Sequence, residues 1–466
     1  MNKRIYRAHT VKDIDAIAER GGLTKEQVTR IRAIAAVLPF RVNNYVLDEL
    51  IRWHQVPDDP IYQLTFPQSG MLDDDDLQTM VELVRRGAES KELTSAARGI
   101  QARLNPHPAG QLDLNVPRGE DGEPLPGMQH KYRETVLFFP AQGQTCHAYC
   151  SYCFRWAQFV GVQDLKFASR EAESLAQYVR AHPEVSDVLI TGGDPMIMRT
   201  AKLRAILEPL LAPDLEHLKT IRIGSKALAW WPYRFTTDED ADDLMRLFEE
   251  VITSGKQLAF MAHYTHPREL EPDVAREALA RVRSTGVIVR CQAPLVRHVN
   301  DDADAWAQMW RTQVRLGAVP YYMFVERDTG ARNYFEVPLG RAHRIFANAY
   351  RQVSGLARTV RGPSMSATPG KVVVHGEATI RGERVFCLQF LQARDPSWVG
   401  QPFFARWDAR ATWLDQLQPA FDEPAFFFEG PRERRARQLA MGRSDQPPAI
   451  AASTDWPTSS ILGRNA

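Results

Sequence analysis

Between residues 134 and 325 the chain repeats one pattern: a short run of β-branched or aromatic residues, then a longer stretch with helical periodicity. The runs are Thr135–Pro140, Asp187–Thr191, Thr220–Gly224, Gln257–His263, Val287–Gln292 and Val319–Val325. Helical patterns lie near 170–181, 199–211, 237–254, 271–285 and 302–316. Parallel strands cannot be joined by a tight turn, so a chain of this rhythm crosses over through its helices, and such crossovers are right-handed. An α/β fold with a parallel sheet is the expectation. Six repeats fall short of the eight that close a barrel. The predicted form is therefore an open, partial (β/α)6 barrel with its ligands at the C-terminal ends of the strands.

The flanks read differently. Residues 1 to about 95 are expected to be mostly helical, with Thr24 as an N-cap and Gln27 three residues on. The acidic run Asp73 to Asp76 lacks the spacing and the glycine of a calcium loop, so it reads as a helix N-terminus favoured by the dipole. Asn105 to Gln129 is a polar, proline-rich connector. Past residue 340 come a helix (Arg341–Val353), a Pro/Gly segment and further β-rich sequence. From Pro431 a tail opens basic and ends rich in Pro, Ser and Thr, which reads as solvated and disordered. The expected division is a helical region and connector over 1–120, the partial barrel over 121–335, an α+β extension over 336–430 and the tail over 431–466.

Composition narrows the function. The 58 basic and 57 acidic residues leave a net charge of +1, so no overall field draws the chain to nucleic acid or to an anionic membrane. No apolar run reaches the roughly 18 residues of a membrane span, and the N-terminus has no apolar segment, which predicts a cytoplasmic protein. The five cysteines are too few and too uneven for a disulfide framework, in agreement with a reducing compartment.

Three of those cysteines stand together in Cys146-His-Ala-Tyr-Cys150-Ser-Tyr-Cys153, directly after the first parallel strand. CxxxCxxC on one loop holds three irons of a 4Fe–4S cubane and leaves the fourth open to chelation by a small molecule. Zinc would want a fourth ligand, for which His147 is badly spaced, and a plain electron-transfer cluster would want a fourth cysteine. Cys291 and Cys387 sit in apolar, strand-like runs and read as core residues. Together with Thr191-Gly-Gly-Asp194 at the end of the second strand, the triad resembles the radical S-adenosylmethionine (SAM) superfamily. The resemblance implies that SAM chelates the open iron through its amino and carboxylate groups, and that an electron from the cluster cleaves it to a 5′-deoxyadenosyl radical. It also implies that Gly192, Gly193 and Asp194 line the methionyl end of SAM.

Further segments resemble, in order, the lysine 2,3-aminomutase family. They are Asp59-Pro-Ile-Tyr-Gln-Leu-Thr-Phe-Pro, Pro126-Gly-Met-Gln-His-Lys-Tyr, Arg222-Ile-Gly-Ser225, His263-Tyr-Thr-His266-Pro, Arg297-His-Val-Asn300-Asp301 and Pro320-Tyr-Tyr322. This likeness implies an isomerase that uses SAM and pyridoxal 5′-phosphate (PLP) to move an α-amino group of an amino acid to its β-carbon. It implies that Lys371, after Pro369-Gly370, forms the resting imine with PLP, with Lys226 as the weaker candidate; the glycine run before Lys371 is shorter than the family's. Lys131 is implied to bind the cofactor phosphate with Arg133 assisting, since the family's second arginine aligns near Thr135. Arg155 is implied to grip the substrate carboxylate, and Ser225, His263 and Gln292 to stand near SAM. The implied partners are a small amino acid and a flavodoxin- or ferredoxin-type electron donor, and the N-terminal helices offer a surface for homo-oligomers. The family's accessory zinc site needs cysteines that this chain lacks, so no zinc is expected.

In the lysine-specific members two aspartates hold the substrate's terminal ammonium; here those positions fall at Arg327 and about Ala367. An ammonium about 4 Å from a guanidinium is penalised by a few kcal/mol at the effective dielectric of a protein, and one buried without a counter-ion by more. Lysine is therefore disfavoured, and Arg327 suits an acidic side chain such as that of glutamate. Glu326 and Asp328 flank Arg327, and a slip of one residue in the match would restore a carboxylate, and lysine with it. Two other readings stay open on the sequence: a radical SAM enzyme that has lost PLP chemistry, and a non-catalytic cluster protein.

Overall fold

The structure, a computed structural model, describes residues 4–111, 114–161, 168–169 and 172–430; the tail from Pro431 lies outside the described residues. Two very short strands, β1 (Ala8–His9) and β2 (Val42–Asn43), pair antiparallel within the N-terminal region. Alternation cannot register in two residues, so the sequence gives no sign of them. The rest of that region is helical as expected: α1 (Ile14–Gly21), α2 (Lys25–Ala35), α3 (Pro60–Thr65), α4 (Asp74–Arg85) and α5 (Ser90–Arg103). At α2 the capping box closes, with Gln27 N donating to Thr24 Oγ1 at 3.2 Å and Thr24 N donating to Gln27 Oε1 at 2.8 Å. The acidic run opens α4, where the helix dipole favours it.

An eleven-stranded mixed sheet follows, its strands lying side by side in sequence order. They are β3 (Met128–Tyr132), β4 (Thr135–Phe138), β5 (Asp187–Ile190), β6 (Thr220–Ser225), β7 (Gln257–His263), β8 (Ile288–Leu295), β9 (Val319–Val325), β10 (Arg361–Ser366), β11 (Gly370–Ile380), β12 (Glu383–Ala393) and β13 (Pro402–Arg406). The six predicted strands are β4 to β9, and each pairs parallel with the next. Between them run α6 (Ala172–Ala181), α7 (Thr200–Leu207), α8 (Ala227–Trp230), α9 (Ala241–Thr253), α10 (Asp273–Ser284) and α11 (Ala303–Arg315). After β9 come α12 (Arg332–Phe335) and α13 (Leu339–Arg351). Then β10 continues the parallel set and β11 to β13 turn antiparallel. One expectation is corrected here. The connector ends earlier than its polarity suggests, because Met128–Tyr132 forms a strand antiparallel to β4.

One face of β5, β6 and β8 is sealed, and most of the alternating residues on the other face are only half-buried. Val188, Ile190, Ile221, Ile223, Leu258 and Phe260 are all sealed from solvent, and α9 packs Leu244, Leu247, Phe248 and Val251 against them. A second apolar cluster, including Leu339, Val372, Leu388 and Phe390, fixes the C-terminal extension. Cys291 lies in the main core as expected, whereas Cys387 is only half-buried on β12. The extension also reaches the opposite margin of the sheet. Lys131 on β3 donates to Ala367 O, and Arg394, just past β12, donates to Leu114 O at 3.1 Å. Among the described residues no helix is long and apolar enough to cross a membrane.

Candidate functional site

The C-terminal ends of the parallel strands and the beginning of β11 enclose one cavity of about 320 Å³. Cys146, Cys150 and Cys153 line it, as do Gly192, Gly193, Asp194, Ser225, His263 and Gln292. Lys131, Arg155, Arg327 and Lys371 line it too. Arg133 does not: it sits exposed on the β3–β4 turn, where its carbonyl meets the His130 ring at 3.1 Å. That turn carries its side chain outward, which corrects the role implied for it. Another cavity, of about 430 Å³, lies among the N-terminal helices and is lined by small and aliphatic residues with Lys12 and Arg32.

The cysteine loop is held from the N-terminal side. Tyr6 Oη and Asn43 Nδ2 donate to His147 O at 2.9 and 3.1 Å, and Tyr149 N donates to Arg41 O at 2.8 Å. Ser151 donates through N to Leu64 O at 2.8 Å and through Oγ to Gln63 O at 2.7 Å. Those last carbonyls end α3, whose buried cap Asp59 accepts from Ile61 N and Tyr62 N and pairs with Arg268. Burial raises all three thiols, Cys153 to about 11.

The Gly-Gly-Asp turn packs directly on that loop. A Cβ on Gly193 would stand 2.6 Å from both N and O of Thr145, so only glycine fits. Asp194 N donates to Thr145 O at 2.8 Å, and its carboxylate accepts from Ser225 Oγ at 2.7 Å and from Met196 N and Lys226 N, each at 2.9 Å. Burial pushes this carboxyl up to about 6 against those hydrogen bonds. Asp194 thus joins the cysteine loop to the ends of β5 and β6. His263, held at about 3 by burial and then by Lys226, is a neutral imidazole.

The two candidate lysines separate cleanly. Lys226 Nζ donates to Glu269 Oε1 at 2.6 Å and to Thr265 Oγ1 at 3.0 Å, a buried ion pair that leaves it unsuited to imine formation. Lys371 Nζ instead donates to the neutral Gln392 Oε1 at 3.0 Å and sits 4.3 Å from the Tyr322 ring centroid. Burial first, then the guanidinium groups of Arg222 and Arg361, lower it to about 7. An amine that is half deprotonated at neutral pH is a nucleophile. The short glycine run does not keep it out of the cavity. Gln392 escapes a reading of the sequence, because only strand pairing brings it to Lys371; Tyr322 belongs to the Pro320-Tyr-Tyr322 segment, in which no role is read for it.

Lys131 is held at about 6 by burial and by Arg394, Arg327 and Lys371. Arg155 stacks on Phe139 at 4.1 Å and Arg327 on Phe154 at 5.2 Å. Asp194 is the one carboxylate among the described lining residues, against Lys131, Arg155, Arg222, Lys226, Arg327 and Lys371. Arg222 and Lys226 have carboxylate partners in Asp187 and Glu269. With Arg155 and Arg327 permanently charged, the described lining favours anions. Arg327 lines it and its Nε has no hydrogen-bond partner, whereas Glu326 and Asp328 do not line it. Asp328 accepts from Asn105 Nδ2 at 3.3 Å.

No protein-family model matches the chain. It is 30% identical over 416 residues to an Aquifex aeolicus protein named "Putative L-lysine 2,3-aminomutase", covering 89% of this chain and 96% of that one. It is 30% identical over 258 residues to the L-lysine 2,3-aminomutase of Escherichia coli, covering 54% and 71%. Among solved structures a radical SAM methyltransferase from Sphaerobacter thermophilus is similar at a TM-score of 0.37 and 13% identity, covering 76% of this chain and 93% of that one. That last likeness is too distant to bear on the site.

Proposed function

The chain belongs to the lysine 2,3-aminomutase family, and from that premise we propose that it is an amino-acid 2,3-aminomutase whose substrate has an acidic side chain, glutamate first. Membership implies a 4Fe–4S cluster, SAM and PLP as cofactors. The donors present fit them: three thiols on one loop, a nucleophilic lysine, and basic side chains that outnumber the single lining carboxylate among the described residues. SAM, on reduction by the cluster, supplies a radical that takes hydrogen from the β-carbon, and PLP supplies the π-system across which nitrogen moves.

The chain's own residues do the rest. Cys146, Cys150 and Cys153 would hold the cluster. Gly192, Gly193, Asp194, Ser225, His263 and Gln292 would shape the SAM wall. Lys371 would attach the PLP aldehyde, Lys131 would meet the phosphate, and Arg155 would grip the α-carboxylate by two hydrogen bonds. Phe139, Phe154 and Trp230 wall the cavity against water, which protects a radical from quenching. In this reading β4 to β9 form a partial (β/α)6 barrel over 121–335, between a helical region (1–120) and an extension (336–430). Electrons come from a flavodoxin- or ferredoxin-type protein.

The observation that carries the substrate class is Arg327, which turns to the cavity where the lysine enzymes would need a carboxylate, while its acidic neighbours turn elsewhere. The test is anaerobic reconstitution with SAM, PLP and a reductant, then mass spectrometry for β-isomers of glutamate, aspartate, lysine, arginine, glutamine and alanine. A β-isomer from an acidic amino acid is expected. A β-isomer from lysine alone would overturn the role of Arg327, and deoxyadenosine without any isomer would overturn the aminomutase reading.

A further inference from the structure

We infer that Gln392 is the positioning residue that aims the Lys371 amine and sets the pH at which it reacts, an inference that rests on Lys371 being the cofactor lysine. Strands β11 and β12 pair with Lys371 opposite Gln392, but the next pair is Val372 with Phe390. Leu391 is therefore an extra residue, a β-bulge. On a regular strand, residues two apart face the same side, and Gln392 would follow Phe390 into the core, where Phe390 is 1% exposed. The bulge turns Gln392 to the cavity beside Lys371 instead. Gly370 makes room for it: a Cβ there would lie 2.4 Å from Gln392 O and 2.8 Å from Phe390 Cδ1.

The pair that results is specific in its chemistry. A lysine Nζ offers no acceptor once protonated, so the amide must present its oxygen, and it does so at 3.0 Å. The other groups around Nζ are the rings of Tyr322 and Phe324 at 4.3 and 5.6 Å, the guanidinium groups of Arg222 and Arg361, the Lys131 amine, and Asp187, which is itself paired with Arg222. A neutral acceptor orients the amine without supplying a counter-charge. A carboxylate in the same place would keep the lysine protonated, and an apolar side chain would leave it unaimed.

Full-length protein with its cluster reconstituted carries the test, using Q392E, which keeps the side chain's shape, and Q392L. The measurement is the rate at which PLP is captured on Lys371, trapped by borohydride and located by peptide mass spectrometry, from about pH 5 to about pH 10. The wild-type midpoint is expected to move up by about 1 unit or more in Q392E and down in Q392L. In Q392L the limiting rate is also expected to fall about tenfold. A purely structural role would slow both variants without displacing their midpoints in opposite directions. Capture at Lys371 in the wild type with the same midpoint in both variants would overturn the inference. No capture at Lys371 in the wild type would overturn the reading beneath it.

Discussion

The half-buried Arg327 leaves its Nε without a hydrogen-bond acceptor among the described residues, and an anion in the cavity it lines would supply one. Arg327→Ala is therefore expected to lower kcat/KM for an acidic substrate on the order of 10- to 100-fold, the worth of a charge-assisted hydrogen bond, and mainly through KM. Arg327→Asp is expected to admit lysine; unchanged selectivity in competition assays would refute the assignment. Glu269→Gln tests a different residue. It leaves the Lys226 ammonium buried beside a neutral partner, and a loss of about 3 kcal/mol in unfolding free energy is expected by denaturant titration. The cysteine triad is marked in the sequence by its spacing and Lys371 only by its likeness to the family, and the fold brings both to one cavity. The choice between Arg327 and its acidic neighbours was not legible in the sequence, since one residue of register decides which side chain enters the cavity.

Elements of the N-terminal region brace the cysteine loop although none of their described residues lines the cavity. Asn43 Nδ2 donates to both His147 O and Trp230 O, tying β2 to the cysteine loop and to α8. Asn43→Ala would take the side-chain donor from Trp230 O and the side-chain acceptor from Val46 N, at about 1–3 kcal/mol each, while His147 O keeps Tyr6 Oη. The expected outcome is lower iron content per chain after reconstitution, read from cluster absorbance, with SAM binding lost in proportion; full iron content would refute it. The alternation of periods made β4 to β9 visible in advance, since long repeated patterns survive tertiary packing. What stayed hidden was set by pairing: β1 and β2 are too short to show a period, β3 lies in polar sequence, and the bulge at Leu391 inverts the side that alternation assigns to Gln392.

For the molecule as a whole, holding Lys131 at about 6 and Lys371 at about 7 means that the folded chain binds fewer protons than the unfolded one up to the ordinary lysine value of about 10.4. Unfolding takes up protons across that window, but above about 8.5 the raised thiols of the cysteine loop act in the opposite sense, so stability rises with pH from about 6 to about 8. Tm of the cofactor-free protein is expected to climb over that range. PLP in hundredfold excess over its Kd should add about 2.7 kcal/mol and flatten the slope; a Tm independent of pH would contradict both buried lysines. The topology has a further consequence for how the protein is made. The partners named for the cysteine loop, from Tyr6 to Leu64, precede it, and the strand bearing Lys371 comes far downstream. Chains grow from the N-terminus and fold in that order. A ribosome thus delivers the thiol loop together with its brace before it delivers the strand that completes the cavity wall.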